Sequence, residues 1–185
     1  VNAQHNYISN TSFICVRAGN VVGTNGSIFP LFKKQLLNDN IITVTNPEMT
    51  RFIMKTEDAI ELIFHAVQKS IGGEIFVMKM PSVRIKVIAD AMISYFGNKN
   101  SKIKIIGERP GEKLHEKLLS SNEIRHTYEL DEKYYVILPE IVNKNKFENY
   151  KKLKRVSLTD YSSLSGKFLT HNQLIKIIRS EEKSW

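Results

Sequence analysis

Cysteine is nearly absent from this sequence: one residue, Cys15, occurs among 185. No disulfide can form within the chain, and a reducing compartment is implied. Cys15 sits in the apolar run Phe13-Ile14-Cys15-Val16, where a buried and inert thiol is expected. Metal-ligand spacing is missing too. The histidines (His5, His65, His115, His126 and His171) are scattered, and neither C-x-x-C nor H-x-x-x-H occurs, so no metal site is expected. No apolar run approaches the roughly 20 residues that cross a bilayer, and the start of the chain has no charged-then-apolar leader. A cytoplasmic protein without a membrane partner is expected. Two phosphate cradles are absent, G-x-G-x-x-G and G-x-x-x-x-G-K-[ST], so the chain holds no standard dinucleotide or P-loop fingerprint. No repeat of fixed period appears.

What is present is an ordinary globular composition, 42% hydrophobic and 25% charged, which excludes disordered, collagen-like and disulfide-scaffold classes. At about 150 residues per domain the length suits one domain and a little more. Lys and Arg number 27 against 19 Asp and Glu, a net charge of +8. That balance favours anionic ligands and leaves nucleic acid, a nucleotide-sugar and an acidic membrane surface open. The chain begins with Val1 rather than Met and enters a strand-like run within a dozen residues, which suits a piece of a longer protein.

Patterning predicts alternating strands and helices. TSFICV (11–16) reads as a strand and the Gly-punctuated stretch 19–26 as a loop. Ser27 is placed to cap a helix over 28–37, with Pro30 tolerated in its first turn. Strands follow at 41–44 and 51–54. A helix begins at Thr56, with Glu57 and Asp58 at its positive end and Ile60, Ile63, Phe64 and Val67 as its apolar face. Gly72-Gly73 stops it. A strand over 74–78, a helix introduced by Pro81-Ser82 and ended by Gly97, a strand over 102–106, a helix over 112–119, a strand over 134–138 and a helix over 174–179 complete the series. The segment 143–155 (NKNKFENYKKLKR) is basic and unpatterned, as a surface loop or mobile arm is. Strand-helix alternation of this kind argues for an α/β protein.

Ligands in α/β sheets bind at the carboxyl ends of strands, and three segments place polar groups there. Arg17-Ala18-Gly19-Asn20 through Gly26-Ser27 combines glycines, an amide and a helix start; an ordinary βα turn has the same composition. Glu48-Met49-Thr50-Arg51-Phe52 puts an arginine at the start of a strand. Arg109-Pro110-Gly111-Glu112 puts another before a rigid turn. Arginine offers a planar charged fork suited to phosphate oxygens, and two of them can clamp one pyrophosphate; singly, each is also an ordinary surface charge. Tyr95/Lys99 and Tyr150/Lys154 match Tyr-x-x-x-Lys, but the first straddles the Gly97 stop and the second lies in the basic arm. His65, beside Phe64, suits packing rather than catalysis.

Taken in order, RAGNVVGTNGSIFPLFKKQ, PEMTRFIMKTEDAIELI, GEIFVMKMPS and GERPGEKLHEKLLS resemble the C-terminal part of sugar-nucleotide-modifying extended short-chain dehydrogenases/reductases. The resemblance is to the UDP-N-acetylglucosamine 4,6-dehydratase (polysaccharide biosynthesis) group, and runs from about residue 16 to 138, more weakly through Asp160-Tyr161-Ser162-Ser163. It implies the C-terminal portion of a Rossmann-like parallel-sheet fold with a small α/β substrate-binding lobe. Residues 1–26 would be a late strand and loop of the NAD(P)-binding domain, 27–55 and 81–140 the substrate lobe, 56–80 a return helix and strand, and 141–185 the basic arm and C-terminal helix. A UDP-sugar would be bound by Asn20, Gly26, Ser27, Pro30, Phe32, Arg51, Arg109 and Glu112, with both arginines on the pyrophosphate and Glu112 on the ribose hydroxyls. Arg17, Ala18 and Gly19 would lie near an NAD or NADP cofactor; family members carry Tyr where this chain has Ala18.

In the family the Gly-rich fingerprint, the acid/base residues and the Tyr-x-x-x-Lys pair lie upstream of the matched region. The chain is therefore expected to hold no catalytic residue, to be inactive alone, and to require the missing N-terminal nucleotide-binding half, forming a homo-oligomer when complete. The implied reaction takes a hydride from sugar C4, eliminates water across C5 and C6, and returns the hydride to C6. A UDP-hexosamine 4-epimerase is a close variant. From a different class, the arm 143–155, with Phe147 and Tyr150 among its lysines, would make a nonenzymatic anion- or nucleic-acid-binding module; a charge run is more often a solvated face.

Overall fold

The computed structural model describes residues 11–139 and 147–185, apart from the side chain of Ser184. The strands are β1 (Cys15–Arg17), β2 (Asn20–Val21), β3 (Ile41–Val44), β4 (Thr50–Met54), β5 (Ile75–Met78), β6 (Ser82–Arg84), β7 (Lys102–Ile105), β8 (Lys117–Leu119), β9 (Thr127–Glu129), β10 (Tyr134–Ile137) and β11 (Tyr161–Ser162). The helices are α1 (Ile28–Asp39), α2 (Thr56–Lys69), α3 (Ile85–Phe96), α4 (Ser121–Ile124), α5 (Glu148–Lys151) and α6 (His171–Glu181), followed by a 3₁₀ turn, Glu182–Ser184. The chain divides into two compact units, each made of three sequence segments.

The first unit comprises 1–18, 57–79 and 117–161. Its sheet runs β1-β5-β10-β9, with β1 parallel to β5 and β10 antiparallel to both β5 and β9. Phe76, Val77, Tyr134 and Val136 are buried in it. Glu74 is fully buried yet satisfied: its carboxylate accepts from the Ile71 and Gly72 amides at 2.7 and 2.8 Å and from the Tyr150 hydroxyl at 3.1 Å. A buried carboxylate survives only with such partners, and this one fixes the turn that ends α2.

The second unit comprises 19–56, 80–116 and 162–185. Its three-stranded sheet is β2-β4-β6, with β4 parallel to β2 and antiparallel to β6; a separate parallel pair is formed by β3 and β7. The core joins Phe29, Phe32 and Leu36 of α1, Ile88 and Met92 of α3, and Leu174 and Ile178 of α6. Asn40 ends α1 in the left-handed region (φ 55°), a conformation Asn tolerates better than most residues. A reciprocal capping box between Thr170 and Gln173 starts α6 at His171, three residues before the helix expected from apolar spacing alone.

Several expectations are corrected. No helix forms over 112–119: Gly111 is left-handed (φ 83°), Thr50 N–H donates to the Leu114 carbonyl at 2.9 Å, and 117–119 is a strand, so long-range pairing overrides local propensity. Residues 82–84, expected to begin a helix, pair instead with β4. The stripe Ile60, Ile63, Phe64 and Val67 is exposed, and the buried positions of α2 are Leu62 and Ala66. Cys15 is exposed, on an edge strand of the sheet. Residues 117–139, grouped by sequence with 81–116, fall in the first unit, where β9 and β10 continue the sheet from β5. The arm is structured where described: Phe147 and Tyr150 are buried, and the Tyr150 hydroxyl donates to the Lys69 carbonyl at 2.7 Å. Its residues 143–146 lie outside the described residues, as do 141–142.

Candidate functional site

The second unit contains a cavity of about 230 Å³ lined by Asn20, Gly26, Phe32, Arg51, Arg109 and Glu112 together with an apolar floor that includes Ile28, Val44, Met49 and Ile53. Six of the eight residues expected to bind substrate therefore meet at one place. Ser27, the N-cap of α1, and Pro30, in its first turn, do not line it. Pockets that enclose a whole small ligand run from about 300 to 1,000 Å³, so this cavity suits one part of an elongated ligand.

Local structure explains how each group arrives there. Asn20 is carried on β2 and Arg51 on β4, which are parallel neighbours. Ser27 stands at the N-cap of α1, but its hydroxyl makes no capping bond; it is buried without a partner among the described residues. Arg51 is the better-fixed arginine: its guanidinium donates to the Thr50 carbonyl at 2.8 Å and the Leu114 carbonyl at 3.3 Å, with Glu116 3.7 Å from Nε. Arg109 is exposed and pairs with no carboxylate among the described residues. Its turn is closed from both ends: Glu112 N–H donates to the Arg109 carbonyl at 3.1 Å, and Arg109 N–H donates to the Glu112 carboxylate at 3.0 Å. The arrangement offers one held cation, one uncompensated cation, an amide and a carboxylate above an apolar floor. An anionic group is the ligand that two arginines in such a set can take.

The three consecutive residues expected at the cofactor, Arg17, Ala18 and Gly19, span the boundary between the two units. Arg17 is in the first unit, where its guanidinium donates to the Leu118 carbonyl at 2.8 Å and pairs with Glu123 at 2.6 Å. That contact holds the Glu123 carboxyl down at about 2. Ala18 is an exposed methyl, and Gly19 belongs to the second unit, pressed against Phe52.

Both Tyr-x-x-x-Lys tyrosines are pushed away from the ionised form that a general base needs. Tyr95 donates to Glu182 at 2.7 Å, which raises its pKa, and burial followed by the Glu74 charge raises that of Tyr150. His65 stacks on Tyr134 with ring centres 4.2 Å apart, the packing role expected of it.

A family model described as polysaccharide biosynthesis protein matches residues 1–138. The chain belongs to the polysaccharide biosynthesis protein family. That is the group to which the four linked motifs pointed. An uncharacterized membrane protein of Methanocaldococcus jannaschii is 42% identical over 175 residues, covering 91% of this chain and 50% of the relative. A UDP-glucose 4-epimerase of Rickettsia bellii is 35% identical over 177 residues, covering 95% and 52%. The X-ray structure of Pen from Bacillus thuringiensis superimposes with a TM-score of 0.85 at 31% identity, covering 97% of this chain and 52% of Pen. The α/β class expected from the sequence, with the Rossmann-like architecture of the family, is borne out. The chain spans about half the length of these relatives. One of them is named a membrane protein; among the described residues of this chain no helix is long and apolar enough to cross a membrane.

Sequence reasoning missed Met49, Ile53, Ile85 and Ile106, which line the cavity. Apolar residues in strands and helices carry the same pattern whether they floor a cavity or fill a core. It also missed what surrounds Thr50, described below.

Proposed function

We propose that this cavity receives the diphosphate region of a UDP-sugar, and that the chain is the substrate-binding part of a UDP-N-acetylglucosamine 4,6-dehydratase, with or without 5-epimerisation. Its product would serve surface polysaccharide or glycan sugar biosynthesis in the cytoplasm. The observation that carries the reading is the convergence of Arg51, Arg109, Asn20 and Glu112 on one cavity. Arg51 arrives preorganised by two carbonyls, so little side-chain entropy remains to be lost on binding. Arg109 supplies charge at the rim, and Glu112 can accept from sugar hydroxyls.

NAD or NADP is the cofactor that the family resemblance implies. Of this chain's own candidates, the Arg17 guanidinium fits it poorly, being held already by Glu123 and the Leu118 carbonyl. The catalytic acid/base groups and most of the cofactor site are assigned to a partner half, and the 185-residue chain alone should not turn over UDP-N-acetylglucosamine.

Calorimetry with UDP on the complete protein tests the reading. Arg109→Ala should weaken UDP roughly 10- to 100-fold, the range for loss of hydrogen bonds to a charged group; unchanged affinity would sink the assignment. The name of the Rickettsia bellii relative favours a second reading, 4-epimerisation. Product NMR separates the two: loss of the C6 hydroxyl marks dehydration, and inversion at C4 with C6 intact marks epimerisation.

A further inference from the structure

We infer that Thr50, His115 and Ser163 form a hydrogen-bonded lock that positions the loop bearing Arg109 and Glu112 beside the strand bearing Arg51. The inference rests on the reading of the cavity as a UDP-sugar site and adds three positioning residues to it. None of the three lines the cavity.

Thr50 and Ser163 are fully buried, although both carry hydroxyls. Thr50 Oγ1 lies 2.8 Å from His115 Nδ1 and 2.6 Å from Ser163 Oγ. Ser163 Oγ lies 3.0 Å from the Thr50 carbonyl and accepts from Glu116 N–H at 2.9 Å. Two hydroxyl protons must serve these contacts, and one assignment serves all of them. His115 Nδ1–H donates to Thr50 Oγ1, Thr50 donates to Ser163 Oγ, and Ser163 donates to the Thr50 carbonyl. If Nδ1 instead accepted the Thr50 proton, the single Ser163 proton would have to choose between Thr50 Oγ1 and the Thr50 carbonyl. The full set of contacts therefore assigns the proton to Nδ1.

The consequence reaches the cavity through the backbone. Thr50 N–H donates to the Leu114 carbonyl at 2.9 Å, and Ser163 N–H to the Glu116 carbonyl at 2.8 Å. Segment 114–116 is thus held between β4 and Ser163, two residues beyond Glu112. The loop before it is exposed from 106 to 113; Asn46 holds its near side, donating to Glu108 at 2.6 Å, and this clamp fixes its far side, so the two together set where its arginine stands. The Leu114 carbonyl that Thr50 binds is also one of the two that hold the Arg51 guanidinium. One device therefore orients both cations.

The test uses the complete protein, with UDP affinity by calorimetry and hydrogen exchange of residues 109–116. Ser163→Ala and His115→Ala should each weaken UDP about ten-fold, as loss of buried hydrogen bonds predicts, and should speed exchange in 109–116. His115→Asn, whose side-chain N–H can stand where Nδ1–H stands, should keep affinity within about two-fold, as should Thr50→Ser, which keeps the hydroxyl. In an Arg109→Ala background, Ser163→Ala should add little, because the residue it positions is gone. Unchanged affinity in Ser163→Ala and His115→Ala, with Arg109→Ala still weakened, overturns the lock and leaves the UDP site standing. His115→Asn as weak as His115→Ala overturns the donor role of Nδ1. A wild type that does not bind UDP overturns the site itself; exchange in 109–116 then still reports on the lock, and unaltered exchange in the alanine variants overturns it. Should the alanine variants fail to fold, Thr50→Val, which keeps the shape and removes the hydroxyl, decides beside Thr50→Ser: a ten-fold loss in the first with wild-type affinity in the second upholds the lock, and wild-type affinity in both overturns it.

Discussion

Arg17 and Glu123 show how a residue singled out in the sequence can find its partner far along the chain. An arginine at the end of a strand has the sequence appearance of a ligand contact, and its spatial partner stands 106 residues away. Glu123 also closes the capping box of α4, accepting from Ser120 N–H at 3.0 Å. Its carboxyl falls from an ordinary 4.5 to about 2, first through the Arg17 hydrogen bond and then through those to Ser120. A carboxylate with a depressed folded-state pKa stabilises the fold above its unfolded value, and that contribution disappears as pH falls through the folded value. Glu123→Gln should cost about 1–2 kcal/mol at pH 7, a figure reduced for the partial exposure of the pair. The deficit relative to wild type should shrink between pH 4.5 and about 2. Urea denaturation at several pH values reads this directly; a deficit independent of pH would show that the charge is not what matters.

Elements were legible in the sequence where local pattern and tertiary demand coincide. The strand over 41–44 appears unchanged as β3, and Thr56 starts α2 as its acidic first turn suggested. Elements failed where a distant strand decides. Residues 112–119 have helical composition, yet 114–119 serve as partners for β4 and for Ser163 and as β8, contacts that local propensity cannot anticipate. The candidate site was legible to the extent that arginine and asparagine mark themselves at strand ends; the Thr50 lock joins residues 113 apart in sequence and leaves no local trace. Gly19 belongs to this scale. A Cβ there would come 2.7 Å from Phe52 Cβ and 3.0 Å from the Phe52 carbonyl, so the glycine exists for the close approach of the chain to β4. Gly19→Ala should destabilise by about 1–3 kcal/mol, the usual cost of overpacking, as a lower thermal midpoint. A variant as stable as wild type would mean that the two segments separate freely.

At the scale of the molecule, the outward face of α2 departs from a self-contained surface. Ile60, Ile63, Phe64 and Val67 are each at least half exposed, and contiguous apolar surface of this kind marks an interaction site or an aggregation liability. Replacing Ile63 and Phe64 with Lys should leave the unfolding free energy within about 0.5 kcal/mol of wild type, as for exposed positions generally, and should reduce self-association of the 185-residue chain in light scattering. Unchanged scattering would clear this face of responsibility.

The three-segment construction of each unit also governs when the protein can fold. Arg17 must await Glu123, and Thr50 must await Ser163, contacts that span 106 and 113 residues. Long-range closure of this kind slows folding. During synthesis at about 5–20 residues per second, the strand carrying Arg51 is made several seconds before the serine that locks its neighbouring loop. Over that interval the future binding residues are already polymerised but not yet in place, and a pause or truncation ahead of residue 163 would release a chain with its arginines and without their geometry.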